Sequence, residues 1–206
     1  MIIDLPKVKN GELNLIAVNE NINIIRDTIK SWDWYDENLY SCEIRTDDVN
    51  NCFDIIDTKG VSSYNSDIHA IWEPISKRNT TIIRTEGDTS PFKRSLSFSG
   101  IECYAIRIYN DNNTYIAYSF QKMDQNGDSS RIIQYINEGY RSEFYQEGSL
   151  LPFENPEYYR RRRKIDRINP EIIIEYMNAL GWNILDDNFW ISYKDAYKDV
   201  RTFVNE

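Results

Sequence analysis

The sequence predicts an α+β protein: an antiparallel sheet of about five to six strands with a central meander, and helices from the N- and C-terminal parts packed mainly on one face. Three observations carry this reading. Stretches of helical period with end signals frame the chain. Stretches of period two, rich in β-branched and aromatic residues, fill the middle. The connections between the latter are too short for anything but antiparallel neighbours.

Residues 13–18 read as a first strand. Ile22, Ile25, Ile29 and Trp32 then recur at i, i+3, i+7 and i+10 behind Asn21, which is placed to cap a helix. Val49, Cys52, Phe53 and Ile56 give a second helical stripe, opened by Asp47 or Asp48 and stopped before Gly60. Residues 68–72 and 80–85 supply two further strands. The meander comprises residues 101–109, 114–123 and 131–136, joined by Asn110-Asp111-Asn112-Asn113 and by Asp124-Gln125-Asn126-Gly127-Asp128. Both connections are rich in residues that tolerate positive φ.

Asn155-Pro156-Glu157 and Asn169-Pro170-Glu171 share a helix-start signature, in which Asn caps and Pro supplies the first helical φ. The second opens a helix carrying Ile173, Tyr176, Met177 and Leu180 and ending at Gly181. A last helix is expected from Ser192, with Tyr193, Ala196, Tyr197, Val200, Phe203 and Val204 on one stripe.

The 206 residues are 41% hydrophobic and 28% charged, enough to bury a core, and no Gly/Ser- or Pro-rich linker divides them. One compact domain over residues 1–206 is therefore expected. The longest apolar runs fall far short of the roughly 20 residues that cross a bilayer. Residues 1–9 meet Asp4 and Pro6 without a basic start or an apolar stretch, from which a cytoplasmic location is expected. Cys42, Cys52 and Cys103 are odd in number and form no CxxC pair, so reduced, buried thiols are expected.

Catalytic motifs are absent. The chain contains no GxxxxGK[ST], no GxGxxG and no GxSxG, and it has a single histidine, His69. Asp124, Asn126, Asp128 and Ser130 imitate the start of a calcium loop, but Ser129 and Tyr135 stand where its glycine and bidentate acid belong, so a hairpin turn is the expectation. No metal site, no cofactor and no catalytic residue is predicted. An enzyme with a carboxylate site assembled from distant positions stays as a third reading.

Two segments stand out. Lys and Arg number 24 against 33 Asp and Glu, a net charge of −9, yet residues 158–167 hold six positive charges and one negative. If Pro156 opens a helix, Arg160, Arg163, Lys164 and Arg167 form one basic stripe suited to phosphate, a possible nucleic-acid contact. The alternative is that these arginines pair with the chain's own carboxylates and cover the sheet with their stems. The other segment sets Trp32, Trp34, Tyr35 and Tyr40 among Asp33, Asp36, Glu37 and Glu43. Rigid aromatics ringed by acids suit a protein interface that takes a basic partner. Core packing of Trp32 and Tyr35 is the alternative there. The leading functional expectation is a non-enzymatic binding protein, of the immunity or phage-inhibitor kind, that neutralises a basic toxin or nucleic-acid-acting enzyme. A nucleic-acid-associated protein using residues 160–167 comes second, and a homodimer through a tyrosine-rich strand is a further possibility. No membrane partner is expected.

Overall fold

The computed structural model describes residues 12–32, 40–45, 66–85, 90–111, 114–193 and 195–202. Nine strands form one sheet: β1 (Glu12–Val18), β2 (Tyr40–Arg45), β3 (Ser66–Trp72), β4 (Thr81–Thr85), β5 (Cys103–Asp111), β6 (Tyr115–Met123), β7 (Ser129–Asn137), β8 (Ser142–Gly148) and β9 (Ala196–Thr202). Their order is β2-β9-β3-β4-β1-β5-β6-β7-β8, and every neighbouring pair is antiparallel. The sheet is thus wider than the five to six strands expected. The meander β5–β6–β7 lies where period two placed it, and a fourth strand, β8, extends it through a tight turn at Gly139 and Tyr140.

Three α-helices are described: α1 (Ile22–Lys30), α2 (Ser90–Phe98) and α3 (Pro170–Ala179). They do not gather on one face. Ile22, Ile25 and Ile29 of α1 and Phe92 and Leu96 of α2 pack with Ile16, Val18, Ile71, Ile83, Ala105 and Met123. On the opposite side, Ile172, Ile173, Tyr176 and Met177 of α3 pack with Leu13, Leu15, Trp72, Ile106, Tyr118, Phe120 and Ile133. Neighbours such as Leu15 and Ile16 belong to different clusters because alternate strand residues point to opposite faces. The central strands are therefore apolar on both sides, and a one-sided expectation fails for that reason.

α1 and α3 have the caps the sequence announced. Asn21 Oδ1 accepts from Asn23 N at 2.9 Å, Asn169 Oδ1 accepts from Ile172 N at 3.0 Å, and Gly181 follows α3 at φ 83°. The helix expected after Pro156 is a single 3-10 turn, Pro156–Arg160, and a second one, Lys164–Asp166, follows after a break. Like charges at i, i+3 and i+4 oppose a continuous helix through six cations. The helix expected from Ser192 is the strand β9, which lies between β2 and β3. Ala196 packs into one core cluster and Tyr197 into the other, so both of its faces are covered and alternation is lost from the sequence. The stripe of Val49, Cys52, Phe53 and Ile56 lies outside the described residues. Among the described residues, no helix is long and apolar enough to cross a membrane.

Candidate functional site

The described helices α1 and α2 cover only part of the face that carries them. Cover from α2 reaches as far as Lys93, whose Nζ donates to Gln121 Oε1 at 2.6 Å. Beyond it, alternation along β5 to β8 brings Arg107, Tyr109, Tyr115, Ser119, Ile132, Gln134, Ile136, Glu143, Tyr145 and Glu147 to this face, with Glu12 of β1 beside them. No described helix lies over these residues. Tyr109 and Tyr115 meet edge to face at 5.5 Å, and the Arg107 guanidinium stands 5.5 Å from the Tyr109 ring centroid. Arg107 Nη2 lies 3.7 Å from Glu12 Oε1. Tyr145 is 50% exposed. Its hydroxyl donates to Glu147 Oε2, and this hydrogen bond to the carboxylate holds the phenol above its ordinary value. Glu143 pairs with Arg141, and both are exposed. The result is a patch of half-buried tyrosines and aliphatics that becomes exposed along β8, where carboxylates edge it.

The basic segment lies against the other face, where Tyr158, Tyr159, Ile165 and Ile168 join the core. Its four predicted phosphate contacts are engaged within the chain. Arg160 pairs with Glu157 at 2.6 Å, and Arg163 binds Asp166 through Nε and Nη2 at 2.7 and 2.5 Å. Lys164 Nζ donates to Ser142 O at 2.7 Å. Arg167 Nε donates to Arg161 O at 2.8 Å while its guanidinium stands 5.2 Å from the Phe144 ring centroid. The cationic heads thus find acceptors within the chain, while the Arg160 and Arg163 side chains stay 74% exposed.

Of the acidic and aromatic residues named from the sequence, Trp32 is buried at 8% exposure. Its Nε1 donates to Ser99 Oγ at 3.0 Å and its ring meets Phe92 edge to face. It serves the core, as its alternative had it. Tyr40 and Glu43 lie on β2, the far edge strand, at register positions opposite Arg201 and Lys198 of β9. Asp33, Trp34, Tyr35, Asp36 and Glu37 lie outside the described residues. Eight strand spacings separate β2 from β8, on the order of 38 Å along the sheet. Sequence reasoning missed Glu143, Tyr145 and Glu147, although Ser-Glu-Phe-Tyr-Gln-Glu-Gly over 142–148 has one apolar residue on one side and acids flanking a tyrosine on the other.

The described residues also hold a buried ion pair. Arg131, 2% exposed, binds Glu154, 0% exposed, through Nε at 2.9 Å and Nη2 at 2.7 Å. Its remaining donors reach Glu147 O, Gly148 O and Gln146 Oε1. Glu154 also accepts from the Tyr159 hydroxyl at 2.6 Å and from Leu151 N at 3.1 Å, and Tyr159 and Tyr176 share a hydrogen bond of 2.7 Å. Burial, reinforced by Glu154, pushes Tyr159 far above its ordinary value, and burial raises Tyr176 to about 12. Each charged group is satisfied by the chain itself, so the cluster pins the 150–160 segment under β7.

The turn at 124–128 is a hairpin stop docked on α2. Ser97 Oγ donates to Asp124 O and accepts from Gly127 N, while Ser130 Oγ donates to Asp124 Oδ1 at 2.8 Å. His69 stands on β3 between Asp199 of β9 and Thr85 of β4 in register. Among the described residues, no three His, Cys, Asp or Glu are grouped to hold a metal ion. Comparison with protein-family models, with curated proteins and with solved structures finds no match for the chain.

Proposed function

We propose that the chain is a binding protein that captures and neutralises a basic protein, in the manner of an immunity protein for a toxin or a phage-encoded inhibitor. One observation carries this reading: among the described residues no helix covers β5 to β8 on this face, which bears exposed Glu143, Tyr145 and Glu147 beside half-buried Tyr109 and Tyr115, with Glu12 at its border. Tyrosines give rigid contact area at low entropic cost, and carboxylates around them steer a cationic partner. The net charge of −9 extends that field over the whole molecule. A patch spanning four strands by about five residues offers on the order of 350 Å². That is under half of the roughly 800 Å² each partner gives to a standard interface. The partner must therefore also engage the border of the patch.

Affinity capture from the native host at moderate and high salt, after nuclease treatment, tests this with the wild type beside Glu143→Lys/Glu147→Lys and Tyr109→Ala/Tyr145→Ala variants. The expected result is a stoichiometric basic protein on the wild type that both variants lose. Equal recovery on wild type and variants removes this face from consideration. Nucleic acid released by salt would instead support the contact through Arg160, Arg163, Lys164 and Arg167, since counterion release makes phosphate binding steeply salt-dependent.

A further inference from the structure

Among the described residues β8 is the last strand of the sheet, and no described strand neighbours it on its outer side. The tight turn fixes which main-chain groups face that way. Glu138 N donates to Arg141 O, which makes 138 and 141 a hydrogen-bonded pair. In an antiparallel ladder the pairs then alternate, so Ser142, Phe144 and Gln146 sit opposite Asn137, Tyr135 and Ile133 without bonding to them. Their N–H and C=O groups point away from β7. The bond from Lys164 Nζ to Ser142 O agrees with this, because that carbonyl is reached from outside the sheet. At Phe144 and Gln146, among the described residues, no main-chain hydrogen bond to any other segment occupies the free side. Among the described residues the edge is thus capped at one end and open in its middle.

The side chains along this edge are sorted by charge. Glu143, Tyr145 and Glu147 stand on the open face, whereas Phe144 and Gln146 point to the opposite side, where Lys164 and Arg167 lie. We propose that β8 accepts an extended segment of the basic partner as a tenth strand. Its side chains over the open face would be Lys or Arg, facing Glu143 and Glu147, and those between them would be acidic, facing Lys164 and Arg167. The main chain would supply affinity through the free groups of Phe144 and Gln146, and the alternation of charge would supply specificity. The added strand also extends the tyrosine-bearing face by one strand, the border contact that the patch needs. A second copy of the chain pairing antiparallel about Tyr145 would set Glu143 against Glu147 on both sides of it, which disfavours that register. This inference rests on the proposed capture of a basic protein.

The test uses the full chain and two nine-residue peptides of equal composition, one alternating Lys with Glu and the other holding them in blocks. General attraction to an acidic protein is the same for both, so only strand register separates them. Fluorescence anisotropy is expected to show the alternating peptide binding at least about tenfold more tightly, a difference of about 1.4 kcal/mol. The bound peptide should slow amide exchange at Phe144 and Gln146. Glu143→Lys/Glu147→Lys, which alters only exposed side chains, should abolish the preference. Gln146→Pro, which removes one free N–H together with the acceptor of Arg131 Nη2, should weaken binding well beyond Gln146→Ala, which loses the same acceptor but keeps the N–H. Equal binding of the two peptides, or unaltered exchange at both amides, overturns strand addition, as does concentration-dependent dimerisation that Gln146→Pro abolishes. If the captured host protein is lost with Tyr109→Ala/Tyr145→Ala yet is kept with Gln146→Pro, the open face stands and the added strand falls.

Discussion

At the level of single residues, the buried contact of Arg131 with Glu154 takes two charges out of water. Removing either partner alone leaves the other charge buried and unpaired, a loss of about 3–5 kcal/mol in comparable sites. The neighbouring phenols add a dependence on pH whose sign follows from their environment. Tyr176 is raised from 10.0 to about 12, with burial the first cause. Below pH 10 the phenol is protonated in both the folded and the unfolded chain, so its contribution is complete. Between pH 10 and about 12 the unfolded chain releases this proton while the folded chain keeps it, so stability falls as pH rises. Replacing Tyr176→Phe costs the hydrogen bond with Tyr159 but removes this titration. The stability gap between wild type and variant, read from urea midpoints at pH 8 to 11, should therefore shrink above pH 10 by about 1.4 kcal/mol per pH unit. A gap that stays constant would show that Tyr176 ionises equally in both states.

Elements were legible in the sequence where a local signal and the tertiary role agreed. α3 is announced at both ends, by Asn169-Pro170 and by Gly181, and its buried face follows helical period. The meander is legible because Asn and Gly at 124–128 separate alternating runs. The same Asn-Pro-Glu start gives only a 3-10 turn at Pro156–Arg160, since the cations that follow cannot stack on one helix. Substituting Asn169→Ala should thus cost about 1 kcal/mol, measured as a lowered urea midpoint. Asn155→Ala, which uncaps a five-residue turn, should cost less. Equal losses would mean that both caps act through the turn geometry rather than through the helix behind it. α2 had a readable start at Ser90-Pro91 and two apolar anchors, Phe92 and Leu96, one turn apart, but its short polar sequence gives a weak stripe. β8 escaped because an edge strand buries little, and only Phe144 along it packs against the core. The open patch went with it, for a surface of side chains from five strands has no single segment to betray it.

Across the whole molecule, the two core clusters are joined through the same main chain. Strands β1, β3, β4, β5, β6 and β9 each give residues to both, so neither cluster can open without loosening the ladder that the other packs on. The chain order tightens this further. β1, near the start, takes the centre of the sheet, and β9, near the end, is inserted between β2 and β3. Any split of the sheet into β2-β9-β3-β4 and β1-β5-β6-β7-β8 must break the β1–β4 pairing and expose Ile16, Ile83, Ile82 and Leu15 together. Burial of four such side chains is worth roughly 1.5–3 kcal/mol each, comparable with the entire 5–15 kcal/mol stability of an ordinary domain. The chain should therefore melt in one cooperative transition. At about 0.7 kcal/mol per residue, calorimetry should show an enthalpy on the order of 140 kcal/mol near 60 °C. The van't Hoff value drawn from the same trace should equal it. A van't Hoff enthalpy near half the calorimetric one would instead mean that the two halves of the sheet unfold separately, with β1–β4 as a seam between them.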